Sequence, residues 1–100
     1  MGMARQLEYH DGARADSDDS FDWYAKRSEE AAIGFVSAVD EAMVRIMANP
    51  ERCPKTLAEC RCCSLKKYPF RVVFREEYDR IVVIAVAHAK RRPGYWKDRR

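Results

Sequence analysis

The spacing of apolar residues changes once along the chain, near Asn49 to Pro54, and each side of that break predicts different structure. From Glu29 to Ala48, Phe35, Val39, Met43 and Ile46 recur at steps of four, four and three, which places them on one face of an amphipathic helix. Before it, Ala13 to Ser28 carries Phe21, Trp23, Tyr24 and Ala25 without a proline, and predicts a first helix. The polar run "DGARADSDD" reads as a turn leading into that helix, and "ARQLEYH" as a short, partly alternating strand. Gly34 lies inside the second helix at a cost of roughly 1 kcal/mol relative to alanine, which points to close packing against the first helix. "NPERCP" ends the helical region: the residue before Pro50 is pushed out of helical geometry, and Pro54 prevents the helix from re-forming.

Downstream the residues become β-branched, aromatic or cysteine. "CRCCSLKK", "FRVVFRE" and "RIVVIAVAH" predict three successive antiparallel strands, the last two joined by the hairpin loop "EYD". In the middle strand Phe70, Val72 and Phe74 alternate with Arg71, Val73 and Arg75, so one face is apolar and the other carries two guanidinium groups. "IVVIAVA" is apolar without alternation, as a central strand covered on both faces requires. The fold class that follows is α+β: an N-terminal strand, a helical hairpin, then an antiparallel sheet of about three further strands. The helices are expected to cover one face of the sheet, leaving Arg71, Arg75 and the C-terminal tail to the other.

Length and charge narrow what this architecture can do. The 100 residues suffice for one hydrophobic core, so residues 1–100 are read as a single domain with one site. The overall charge of +3 conceals an asymmetry: residues 1–50 carry −5 and residues 51–100 carry +8. A basic half of this kind suits phosphate or an acidic partner. No apolar run nears the ~20 residues of a membrane span, and the first twenty lack the apolar core of a signal peptide, which together predict a cytoplasmic protein without membrane contact. Cys53, Cys60, Cys62 and Cys63 are then expected as thiols. Their spacing lacks paired C-x2-C knuckles, and Cys62 and Cys63 point to opposite faces of a strand, so small buried thiols are a better reading than zinc, with redox use left open. No cofactor motif is present, and none is expected.

The tail "AHAKRRPGYWKDRR" then carries the chemistry. Pro93 with Gly94 marks a turn, and Tyr95 with Trp96 implies that the tail folds back onto the sheet. Trp96 and Trp23 are read as core or rim packing rather than ligand contacts. The order of "WY" at Trp23 and Tyr24, "F-x3-V" at Phe35 and Val39, "NPERCP", and "YPFRVVFR" followed by "RIVVIAVAHAKRRPGYW" resembles the toxins of the RelE/ParE superfamily from bacterial type II toxin–antitoxin operons. The resemblance covers nearly the whole chain. It implies the same strand, helical hairpin and antiparallel sheet, with the strand ends and basic tail lining the groove used on the target. It also implies a cognate antitoxin, a small acidic protein encoded next to the toxin. Neither helix is basic, so operator DNA is expected to be bound only through that antitoxin.

The superfamily holds two activities: RelE-like members cut messenger RNA in the ribosome, and ParE-like members inhibit DNA gyrase. RNA cleavage through the 2′-hydroxyl needs a base, cations on the phosphate and an acid for the leaving oxygen. Arg71 matches the family's phosphate-contacting arginine, Tyr95 its tail tyrosine, and His88 ends the last strand as a side chain that titrates near neutrality. Lys66, Lys67, Arg75, Lys90, Arg91 and Arg92 are further candidates for nucleic-acid contact. On Arg71, His88 and Tyr95 the balance tips towards a metal-independent endoribonuclease acting on mRNA with the ribosome. The departures weaken that reading. Two alternating lysines of RNA-cutting members fall on Cys62 and Ser64, and an arginine after the last strand falls on Ala89. A ParE-like gyrase inhibitor, which needs no catalytic set, is the alternative, beside a degenerate toxin that only binds its antitoxin.

Overall fold

The computed structural model describes residues 5–100. Ala4, at the head of the predicted first strand, lies outside the described residues. The chain forms β1 (Gln6–Tyr9), α1 (Asp11–Ala25), α2 (Glu29–Ala48), a 3-10 turn at Pro50–Arg52, β2 (Arg61–Ser64), β3 (Phe70–Glu76) and β4 (Arg80–His88). The sheet order is β1-β4-β3-β2. β3 pairs antiparallel with both β2 and β4 as expected, while β1 adds to the far edge of β4 in parallel, Gln6 facing Arg80 and Tyr9 facing Val83. The crossover through both helices makes this parallel pairing possible.

The helix boundaries follow local chemistry. α2 occupies its predicted span, with the Ser28 hydroxyl accepting the Ala31 N–H at 3.1 Å as its N-cap. α1 begins at Asp11, two residues before the predicted start and inside the stretch read as a turn. The His10 imidazole makes this possible, its Nδ1 accepting the Gly12 N–H at 2.9 Å and serving as an N-cap that the usual cap residues would not reveal. The helix stops at Ala25 rather than Ser28, because Ser28 is used to start α2.

Two cores result. Between helices and sheet, Phe35, Val39, Met43 and Ile46 meet Phe70, Val72, Phe74, Ile81 and Val83. On the opposite face Cys60, Val73, Val82, Ile84 and Ala85 are closed over by Trp96 from the tail. β4 therefore runs buried on both sides, which explains its unbroken apolar sequence. A bulge at Val73/Phe74, where Val73 faces Ala85 and Phe74 faces Val83, leaves Ile84 unpaired and puts Ile84 and Ala85 consecutively into the second core. Trp23, by contrast, is 52% exposed, with its ring edge against Tyr24 and the Arg27 guanidinium stacked on it at 3.7 Å.

Gly34 is needed, but not for the helix–helix contact its position suggested. A Cβ there would run into the Tyr68 hydroxyl, which donates to the Ala31 carbonyl at 2.8 Å. Tyr68 also packs edge-on against Tyr24 and Phe35, so it has little room to retreat. Gly34→Ala gains up to about 1 kcal/mol of helix propensity but incurs an overpacking cost of about 1–3 kcal/mol. The expected net result is a fall in melting temperature of roughly 5 °C. Thermal denaturation of Gly34→Ala beside Gly34→Ala/Tyr68→Phe checks it, the double variant recovering most of the loss.

Candidate functional site

β3 positions the first element of the site. Its alternation buries Phe70 and Val72 against the helices and sends Arg71 out through the other face, where its neighbours in register are Ala87 on β4 and Ser64 on β2. Both neighbours are small. The guanidinium is exposed and makes no ion pair among the described residues.

The chain beyond β4 builds the opposite wall. Ala89 N–H donates to the Pro69 carbonyl at 2.8 Å, and Arg91 N–H to the His88 carbonyl at 3.0 Å. After the turn at Pro93 and Gly94 the tail returns across the sheet and buries Trp96 to 5% exposure. The predicted fold-back is therefore present. Between tail and sheet lies a cleft of about 110 Å³ bordered by Arg71, His88, Arg91, Arg92, Tyr95 and Leu57. Three arginines bordering one small cleft give it a positive lining, of the kind that suits phosphate or carboxylate.

His88 and Tyr95 reach this cleft with most of their polar capacity engaged. His88 Nδ1 accepts the Lys90 N–H at 3.0 Å, and the ring stands edge-on to Phe70 at 4.9 Å, which leaves Nε2 as the nitrogen available to a ligand. The Tyr95 hydroxyl donates to Asp16 Oδ2 at 3.0 Å, and the Arg91 guanidinium lies over its ring at 3.9 Å. Burial, reinforced by the charge and hydrogen bond of Asp16, pushes the Tyr95 hydroxyl up to about 12. At neutral pH Tyr95 is thus a fixed donor to Asp16, with one ring face occupied by an arginine.

The other sequence candidates lie elsewhere. Arg75 is bound to Glu77 at 2.9–3.0 Å in an ion-pair cluster with Arg80 and Glu8 at the hairpin end. Lys66 pairs with Glu41 of α2 at 3.2 Å. Lys67 occupies the β2–β3 turn with a φ of 67°. Lys90 borders a separate, more apolar cleft with Asp19, Trp23 and Tyr24. Among the described residues no three His, Cys, Asp or Glu side chains converge as a metal ion would require.

Asp16 and Arg99 organise the site and had no signal in the sequence. Asp16 accepts from Arg99 Nη1 at 2.8 Å, from the Val86 N–H at 3.1 Å and from Tyr95; Arg99 Nη1 also donates to the Ile84 carbonyl at 3.0 Å. β1 ends opposite Val83, so Ile84 and Val86 expose unpaired backbone groups on that edge of β4, and this pair satisfies them. Gly12 leaves room for Arg99, whose side chain passes 2.6 Å from where a Cβ would stand. Asp16 lies in an acidic run, "DSDD", that gives no cue as to which carboxylate turns inward.

Comparison with known proteins agrees with the fold. Among solved structures, the chain is similar to one described as the chromosomal ParDE TA system from P. aeruginosa. The TM-score is 0.76 at 21% identity, over 87% of this chain and 98% of the other, which is a likeness of fold. No curated protein sequence matches the chain significantly. The model of the ParE toxin of the type II toxin–antitoxin system, parDE, matches residues 7–93, from β1 through the basic turn beside the cleft, and the chain belongs to that toxin family.

Proposed function

We propose that this toxin arrests growth by inhibiting DNA gyrase and is neutralised in the cytoplasm by a cognate antitoxin. The observation that carries the reading is the match of residues 7–93 to the ParE family, whose members the sequence resemblance links to gyrase. This replaces the mRNA-cleavage reading towards which Arg71, His88 and Tyr95 tipped the sequence. The chemistry supports the change: Cys62, Ser64 and Ala89 stand where RNA-cutting relatives carry cations, and the Tyr95 hydroxyl is committed to Asp16. Inhibition by binding asks only for a rigid, positively charged surface, which Arg71, Arg91 and Arg92 supply. The antitoxin is expected to be acidic with an apolar segment; the exposed Trp23, Ile33 and Val36 of the helical hairpin offer it apolar contact.

The test uses purified toxin in two assays. In a gyrase supercoiling reaction, relaxed plasmid is expected to stay relaxed. In a cell-free translation system, message is expected to remain intact with ribosomes present. Cleaved message with normal supercoiling would restore the endoribonuclease reading, and no effect in either assay would mean a degenerate toxin that retains only its antitoxin.

A further inference from the structure

The four cysteines are unused by the proposed function, and two of them face each other. Lys55 and Arg61 form an antiparallel bridge. On either side of it Thr56 N–H donates to the Cys60 carbonyl at 2.8 Å and Cys62 N–H to the Pro54 carbonyl at 2.9 Å. Continuing this register by two residues sets Cys53, in extended conformation, directly opposite Cys63 of β2. The hydrogen-bonded positions are 54/62 and 56/60, so 53/63 is a non-hydrogen-bonded pair, in which α-carbons stand about 4.5 Å apart and side chains approach most closely. That spacing falls within the ~4.4–6.8 Å range of disulfides. Both side chains enter the same core. Cys60 sits opposite Thr56 and Cys62 opposite Val73, so neither has a cysteine across the strand.

We propose that Cys53 and Cys63 are a peroxide-responsive pair that closes to a reversible disulfide and braces the wall of the candidate cleft. A shallow opening of about 440 Å³ is bordered by Arg45, Asn49, Arg52, Cys53 and Cys63, and is the route by which a small oxidant would approach the two buried residues. The thiolate of one cysteine attacks hydrogen peroxide, breaking the O–O bond and releasing one water as a sulfenic acid forms. The second thiolate then attacks that sulfur, the S–S bond forms, and the sulfenic oxygen leaves as a second water. The pair has then lost two electrons and two protons, both taken up by the peroxide. Burial, then the neighbouring Cys63, pushes the Cys53 thiol up to about 11, while Arg45 opposes the rise. The first step is therefore slow at neutral pH, and a pair that is thiol at rest oxidises only under sustained exposure. The loop so closed contains Thr56 and Leu57, which border the same cleft as Arg71.

The test treats the full-length reduced chain with hydrogen peroxide, caps remaining thiols with iodoacetamide and maps the tryptic peptides. A peptide ending at Lys55 is expected to be joined to one ending at Lys66. Because Cys62 and Cys63 share that second peptide, the link must persist in Cys62→Ser and vanish in Cys63→Ser; the wild-type and Cys62→Ser maps decide the matter even if Cys63→Ser does not fold. Closing a loop of about ten residues should raise the melting temperature by on the order of 10 °C, reversed by dithiothreitol. A link to Cys60, loss of the link in Cys62→Ser, or sulfinic acids without any link would overturn the pairing. A link that leaves the melting temperature unchanged would overturn the bracing.

Discussion

Arg71→Ala is expected to abolish growth inhibition while the protein melts as the wild type does. Arg71 is exposed between Ser64 and Ala87, touches neither core and carries no ion pair among the described residues, so its removal should change stability by no more than about 0.5 kcal/mol. It borders the cleft together with Arg91 and Arg92. An arginine at the centre of a contact surface commonly accounts for about 2 kcal/mol or more, which corresponds to roughly 30-fold weaker binding. Arg71→Lys should recover only part of this, because an ammonium lacks the fork that grips two oxygens at once. The measurement is colony formation after induction at matched soluble levels, with half-inhibitory concentration in the supercoiling assay as the quantitative readout. Full toxicity from a normally folded Arg71→Ala would move the site to the tail, with Arg91 and Arg92 as the next candidates.

Asp16→Ala is expected to be the most destabilising single change at a polar residue. The Asp16 carboxylate is 8% exposed and the Arg99 side chain 21%. Deleting the carboxylate leaves the Val86 N–H and the Tyr95 hydroxyl without an acceptor and Arg99 with only the Ile84 carbonyl. A stranded buried donor costs about 1–3 kcal/mol and a broken buried ion pair about 3–5 kcal/mol, so a total near 3 kcal/mol is expected after allowance for the partly exposed arginine. This corresponds to a drop in melting temperature on the order of 15 °C. Asp18→Ala, in the same acidic run but exposed, should be nearly silent. A double-mutant cycle between Asp16 and Arg99 should give a coupling above about 1 kcal/mol; additive effects would show that the two act independently.

The same node has a pH signature. Tyr95 is held at about 12 against an ordinary 10.0, so the folded state retains this proton more tightly than the unfolded chain does. Its contribution is fully present below about pH 10 and is lost as the pH rises towards 12. Wild type should therefore lose stability more steeply than Tyr95→Phe across that alkaline window. Parallel slopes in melts at successive pH values would mean that the Tyr95–Asp16 bond is not made in solution.

Much of this molecule was legible from residue spacing. The steps of Phe35, Val39, Met43 and Ile46 sufficed to place α2 at its observed ends, and the shift to β-branched residues after Pro54 located β2, β3 and β4. Alternation around Arg71 identified the face from which its guanidinium leaves. These features depend on neighbours within one turn or one pleat, where period and side-chain direction are tied by backbone geometry. The start of α1 was less legible, because its cap is a histidine whose ring happens to reach the Gly12 N–H.

Which cations share the cleft was decided elsewhere. Arg75 and Lys66 resemble Arg91 and Arg92 in the sequence, yet the former are neutralised by Glu77 and Glu41 while the latter border the groove. Asp16 and Arg99, separated by 83 positions, meet only because the tail folds back over an edge of β4 that β1 is too short to cover. Local periodicity by itself determined the helical hairpin, the strands and the outward face of Arg71. The pairing of distant charges, the burial of Trp96 and the opposition of Cys53 to Cys63 arose only in the tertiary structure, since an unpaired backbone edge and a strand register exist only once the strands have assembled.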